Sequence, residues 1–417
     1  MRAHRHSAFG ILHSAFVRHL PRLGPGIISG AADDDPSGIV TFSIAGARLG
    51  NSLLWFSWVS WPLMHAVQMM CARVGMQTGR GLVGALAMKL PRPVLLLAAL
   101  ALFLANTINI GADLAGMAEA AALVTGLSAW LYVLLFGAGI AYATVQLTYR
   151  SIARVLKWLT LALFAYVAAA AHVTSNWSAV LHDTFTISLP RGAETWQIVV
   201  ALIGVTFSPY FFIWQASQEV EEKRDVRGPG APLHGTRAED LAARKLDVGV
   251  GTFFSRVVMF FVILTTSMTL HPCGLVVSSA ADAAEALRPI AGTFAMWLYT
   301  AGILGVGFLV IPVLSTSAAY AFAELFGWRH GLDQRLGRAA NFYAVILLST
   351  VGGVVMHLTN ISSVRALLWA GVINGVLAPF LLIGVLLAAR GITPRWEQAG
   401  VAVAIVAMIA AGVVWIL

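Results

Sequence analysis

Three consecutive carboxylates, Asp33, Asp34 and Asp35, stand inside an apolar stretch that runs from Gly24 to Gly50, GPGIISGAADDDPSGIVTFSIAGARLG. Carboxylates are anionic oxygen donors, and each charge at bilayer depth costs roughly 2.5 kcal/mol or more. Residues retained there at that cost point to cation binding. Pro36 follows at once and removes a backbone donor, and Ser37 and Gly38 do little to restore helix. Irregular backbone survives at that depth only where it lines a cavity or is buried in protein. Asp35 is the best-placed ligand, with Ser37 and the carbonyls freed by Pro36 as further oxygens. Successive helical residues point about 100° apart, so the three Asp cannot all face one cavity. Asp33 and Asp34 face a water-filled vestibule or a partner helix; the alternative for all three, Asp35 included, is that they cap the half-helix that follows.

A second break lies in GVTFSPYFFIWQASQEVEEK, where Pro209 sits mid-span between Ser208 and Tyr210. Ser208 offers a hydroxyl, and Pro209 frees carbonyls around Val205 and Thr206. Tyr210 is a gate or an interface aromatic. Further along, Glu219 either faces the exit path or pairs with Lys223 at i, i+4, while Glu221 and Glu222 lie near an end. In LFLANTINIGADLAGMAEAA, Asn106, Asn109 and Asp113 recur at +3 and +4 and form one polar stripe. A buried Asp in a membrane helix is an ion-pathway or proton-relay candidate, set against a packing network with no transport role. Glu119 lies off that stripe. Arg256 is the lone intramembrane Arg and a candidate partner for one of these carboxylates. His65, His271 and His357 stand isolated, as expected of packing or interfacial groups, and Asn374 is a candidate cavity residue.

These groups need helices to hold them at depth. The chain is 59% hydrophobic and 11% charged, with a mean hydropathy of +0.80. A soluble domain is nearer a quarter charged, so an all-α polytopic membrane protein is expected. About eleven spans can be drawn: 24–48, 52–76, 93–123, 129–148, 152–173, 196–221, 247–270, 289–322, 340–358, 365–389 and 397–416. With the N-terminus inside, Lys and Arg fall inside rather than outside by about five to one. That bias accounts for the net charge of +8 without nucleic acid, and it puts the C-terminus outside. Residues 1–23 read as a cytoplasmic leader with no signal-peptide pattern. The connection from Lys223 to Lys245 contains GPGAPLHG, with Arg237 to Lys245 expected as a short surface helix.

Spans one to five (24–173) and six to ten (196–389) form two units, each opening on a Pro-broken helix. An odd number of spans inverts the second unit relative to the first, the pattern of inverted-repeat, LeuT-like transporters. Residues 390–417 form a peripheral eleventh helix. Cys71 and Cys273 have no metal-ligand spacing, and no H-E-x-x-H or nucleophile–base pattern predicts an enzyme. No cofactor is expected, and a monomer is the expected state.

GPGIISGAADDDPSG resembles, without gaps, the first-helix pattern of the Nramp family, GPG followed by an apolar run and Asp-Pro-Gly-Asn. TFSPY stands where Nramp transporters carry Met-Pro-His, and ADLAGMAEA resembles their Asp-Leu-Ala-Glu segment. The resemblance covers essentially the whole chain and looks closest to a bacterial, Nramp-like branch. It implies uptake of divalent metal, often manganese or iron, with protons alongside, across the inner membrane by alternating access. By position, Asp35 resembles the metal-binding Asp, Asp113 the Asp of the proton route, and Val205 the carbonyl ligand. Gly38 replaces the ligand Asn, Ser208 the ligand Met, and Tyr210 the following His. A soft thioether favours transition metals, so its loss leaves a harder, all-oxygen site and weakens discrimination against Mg²⁺. Mg²⁺ usually keeps several waters, for which Gly38 and Ser208 leave room. The alternative is a carrier of a small organic cation or amino acid, with an aromatic-lined pocket around Tyr210, Phe211 and Trp214.

Overall fold

The computed structural model describes residues 30, 32–146, 161–188, 192–227, 233–332, 334–359 and 362–417. All regular structure among them is helical. The principal helices are α1 (Pro36–Leu49), α2 (Leu54–Thr78), α3 (Arg92–Thr125), α4 (Ala129–Gln146), α5 (Ala165–Val173) and α6 (Ala193–Thr206). They continue with α7 (Pro209–Arg227), α8 (Ala238–Thr269), α9 (Ala295–Phe326), α10 (Ala340–Met356), α11 (Ser363–Ala389) and α12 (Arg395–Ile416).

Eight stretches are long and apolar enough to cross a bilayer, and two shorter apolar helices, Ala162–Val173 and Ala340–Met356, accompany them. The first stretch, Pro36–Thr78, has 43 residues. At about 1.5 Å per residue it would be about twice as long as a hydrocarbon core is thick. Gly50 divides it: its φ of 57° and ψ of −137° end α1, and a 3₁₀ turn leads into α2. Counting α6 and α7 as the two halves of one broken span, the described helices make eleven spans. Bulky apolar side chains on α4 (Leu131, Leu134, Leu135) and α12 (Val403, Val406, Ile409) are exposed, as a lipid-facing surface requires.

Within the bundle, α1 packs against α8, α6, α11 and α3. Every residue from Pro36 to Ala47 is buried, which matches a helix that is apolar on all sides. The α3 helix lies along α9, α10 and α11, while α7 packs on α2 and α9. Two contacts bring backbones together. A Cβ on Gly204 of α6 would collide with the backbone of Gly371 and Gly375 in α11, and one on Gly75 of α2 with the Ala216 carbonyl in α7. Small residues at helix seams are how membrane helices approach closely.

Several expected boundaries move. The segment 237–245 is no separate surface helix: from Ala238 onward it is the first turns of α8, a polar start on a helix that turns apolar toward its middle. The sixth span runs on to Arg227. A helix at Trp177–Phe185, capped by the Asn176 side chain, lies in the connection between the fifth and sixth spans. The last helix, α12, packs on α2, α6 and α11, and its buried Glu397 pairs with Arg73 at 3.0 Å. The leader 1–23, the start of the first span and the start of the fifth lie outside the described residues.

Candidate functional site

The first break falls at Asp33–Asp35, and Asp35 is the N-cap of α1. Its Oδ1 accepts hydrogen bonds from the Gly38 amide at 2.5 Å and the Ser37 hydroxyl at 2.6 Å. Capping and ligation are compatible here, because these bonds occupy one oxygen. The other, Oδ2, accepts a long hydrogen bond from the Tyr210 hydroxyl, at 3.4 Å, and that hydroxyl also reaches the Ala32 carbonyl at 3.4 Å. From α3, the Asn109 amide lies beside Asp35, and the Asp113 carboxylate lies beside Asp35 and the Ser37 N–H. Asn109 and Asp113 are fully buried, and their side chains complete no hydrogen bond of good geometry. Gly38 has little spare space: a Cβ there would lie 3.3 Å from the Asp33 carbonyl and the Asp35 carboxylate.

The second break falls at Phe207–Ser208. The residue four places after Val205 is Pro209, which has no N–H to give. The Ser208 hydroxyl serves instead, donating to the Gly204 carbonyl at 3.0 Å and the Val205 carbonyl at 3.2 Å. Asp35 and Tyr210 join the two breaks directly. Tyr210, Phe211 and Trp214 are all buried, with the Tyr210 and Phe211 ring centroids 4.1 Å apart.

Asp33 and Asp34 belong to a separate group. Asp33 forms a buried ion pair with Arg256 of α8. The Ser255 hydroxyl donates to Asp33 Oδ2 at 2.5 Å and also reaches Asp34 Oδ1 at 3.2 Å. Arg256 donates to Thr206 Oγ1 at 3.0 Å, so Thr206 faces this group and not Asp35. Arg256 thus pairs with Asp33, not with a carboxylate of the third-span stripe. Ser255 was not singled out in the sequence, where only its place next to Arg256 hints at it.

Glu219 is drawn into a third cluster, paired with Arg244 of α8 at 2.7 Å and accepting from Gln215 at 2.7 Å. Arg244 also meets Glu222 and Asp247. Lys223, the expected i, i+4 partner, reaches instead to the Met76 carbonyl, the Leu233 carbonyl at 3.0 Å and the Gly235 carbonyl at 2.5 Å. Asn106 donates to the Leu314 carbonyl and the Ser317 hydroxyl of α9, both at 2.8 Å, so one end of the α3 stripe is a packing contact.

Among the described residues no three His, Cys, Asp or Glu side chains converge with metal-ligand spacing. A cation between the breaks would meet a mixed oxygen set: the Asp35 carboxylate with that of Asp113 beside it, hydroxyls and carbonyls. The C-terminal carbonyls of α6 carry the negative end of its helix dipole, which also favours a cation.

The chain matches the profile of the family described as natural resistance-associated macrophage protein-like, Nramp, over residues 26–417. It is 26% identical over 307 residues to the divalent metal cation transporter MntH of Caldanaerobacter subterraneus subsp. tengcongensis, covering 70% of this chain and 68% of that one. It is 27% identical over 320 residues to the MntH of Erwinia tasmaniensis, covering 73% and 72%. Its fold is similar to that of the Eremococcus coleocola manganese transporter, with a TM-score of 0.70 at 16% identity, covering 99% of this chain and 87% of the other.

Proposed function

The chain belongs to the Nramp family, and from that premise we propose that it carries a divalent metal ion through the two helix breaks, with Asp35 as the anchoring ligand. It is a multi-pass membrane transporter and not an enzyme. The observation that carries the reading is Asp35 itself: a buried carboxylate at the first break, with no cationic side chain paired to it among the described residues and one oxygen in long contact with Tyr210 across the second break. The Val205 carbonyl, Ser208 and Ser37 complete the ligand set. Broken helices that present carbonyls at mid-membrane are the usual way such carriers hold cations.

All these donors are oxygens, and none is a soft sulfur, so Mg²⁺ joins Mn²⁺ and Fe²⁺ as a substrate. Asp113, beside Asp35, is the group through which protons would accompany the ion. One bundle, which includes the first and sixth spans, rocks against the rest in alternating access, in a cell membrane with the N-terminus on the cytoplasmic side and the C-terminus outside.

Flux into proteoliposomes tests this, with Mn²⁺ and Mg²⁺ supplied separately and internal pH read in the same vesicles. Wild type takes up metal, and Asp35→Ala falls to the level of empty vesicles. Mn²⁺ uptake that resists excess Mg²⁺ and acidifies the lumen identifies a selective, proton-coupled carrier. Mg²⁺ uptake without acidification identifies a hard, hydrated-ion site. Uptake of neither ion, or uptake indifferent to Asp35→Ala, sinks the metal reading and favours an organic cation or amino acid.

A further inference from the structure

Arg256 reaches both helix breaks from α8. It is ion-paired with Asp33 in the first break. It also donates to Thr206, the last residue of α6 before the second break, at 3.0 Å and to the Met259 sulfur at 3.3 Å. A further N–H meets the Ser255 hydroxyl at 2.7 Å, and that hydroxyl bridges Asp33 and Asp34. The guanidinium is thus gathered with two carboxylates of the first break and two hydroxyls from α6 and α8, all of them buried. A bound alkali cation also needs oxygen donors around it, and transporters of broken-helix design coordinate Na⁺ at such breaks, through unwound backbone carbonyls and half-helix C-terminal ends. A plain packing ion pair would need only Asp33; it would not need to touch the far break as well.

We propose that the Arg256 guanidinium is a covalently attached stand-in for a monovalent co-ion: it fills an oxygen-lined place between the breaks, ties them together, and leaves transport independent of Na⁺. Arg256 is then a positioning residue, acting on Asp35 through the backbone of the first break. The inference rests on the reading that Asp35, and not Asp33, holds the substrate ion. Removal of the guanidinium should open the place to Na⁺, whose binding to the folded state alone raises stability by mass action.

The test compares wild type, Arg256→Gln, Arg256→Lys and the double variant Asp33→Asn/Arg256→Gln in NaCl and in choline chloride at equal ionic strength. Two readouts are taken: thermal stability of the purified full chain, and Mn²⁺ uptake into vesicles. Wild type and Arg256→Lys give the same values in both salts, since each carries its own cation. Arg256→Gln has a higher Tm in Na⁺ than in choline, and its uptake is several-fold greater in Na⁺. The double variant, with neither charge, loses both responses.

Na⁺ dependence of the wild type overturns the proposal. So does an Arg256→Gln protein that ignores Na⁺ or folds in neither salt, a Na⁺ response that survives in the double variant, or an Arg256→Lys protein that loses uptake in both salts. Failure of the metal reading looks different: wild type moves no divalent ion, while the Na⁺-dependent Tm of Arg256→Gln persists.

Discussion

Asp33 and Asp35 are two residues apart in one helix break, and the fold treats them oppositely. Asp33 is matched by a fixed guanidinium and a serine hydroxyl. Asp35 is held by two short hydrogen bonds on one oxygen and a long one on the other. Burial is the same for both, at 1% exposure, so burial does not separate them. A buried carboxylate whose counter-charge is built into the protein is structural. One beside it whose counter-charge is not built in is the residue proposed above to hold the cation. The ion pair at Asp33 fixes the backbone from which Asp35 projects, so the matched residue prepares the unmatched one.

The largest effect that can break this contrast comes from removing the built-in charge. Arg256→Met strands Asp33 in the interior, and loss of one partner of a buried pair costs about 3–5 kcal/mol. Thermal unfolding of Arg256→Met should show that loss, and Asp33→Asn/Arg256→Met should recover most of it. A double variant as unstable as the single one would mean that the guanidinium acts by packing alone.

A smaller effect sharpens the other half of the contrast. Tyr210→Phe removes the long hydrogen bond on Asp35 Oδ2, worth about 1 kcal/mol or less. The hydroxyl competes with the ion for that oxygen, so KM for Mn²⁺ should fall by up to about fivefold with kcat little changed. A large loss of kcat would instead make Tyr210 part of the moving gate.

Asp282 supplies the smallest effect and a third way of holding a carboxylate. It lies outside the spans, in the connection between α8 and α9, and forms a capping box with Ser279. Burial raises its pKa, but hydrogen bonds from the side chains and amides of Ser278 and Ser279 outweigh that and hold it below its ordinary 3.8. A lowered pKa contributes stability above 3.8 that is lost as the pH falls through the folded-state value. Asp282→Asn should therefore cost about 0.5–1 kcal/mol at neutral pH, and the gap should close in acid. Asp33, neutralised by a cation, and Asp282, held by neutral donors, would then be told apart by their pH response.

The sequence was legible where local chemistry decides. Pro36 and Pro209 mark both breaks, and the apolar windows give eleven spans, with most ends off by a few residues and the largest shifts at the end of α7 and the start of α8. Asp35 is singled out because it directly precedes Pro36. What could not be read depends on tertiary partners. Whether Asp33 faces water, caps a helix or meets a charge is settled by Arg256, 223 residues away in sequence. Glu219 passes over Lys223, its i, i+4 neighbour, for Arg244 on the next helix, because a planar guanidinium can serve Glu219, Glu222 and Asp247 together. The start of α8 was hidden because an apolar window cannot see the polar first turns of a helix. The Trp177–Phe185 helix did carry a signal, the Asn176 cap, which an inventory of membrane spans passes over.

The seams at Gly204 and Gly75 bear on how tolerance to substitution should be read in this protein. Adding one methyl group at either position drives it into the backbone of a neighbouring helix. No rotamer change relieves such a clash, because the obstructing atoms are main chain. A complete survey of single substitutions would therefore score Gly204 and Gly75 as strictly as Asp35, although neither glycine has a side chain to offer an ion. Intolerance in this chain marks two populations, residues that touch the cargo and residues that let helices touch each other. Repeating such a survey at several metal concentrations separates them: excess metal relieves weakened ligands and does nothing for a blocked seam.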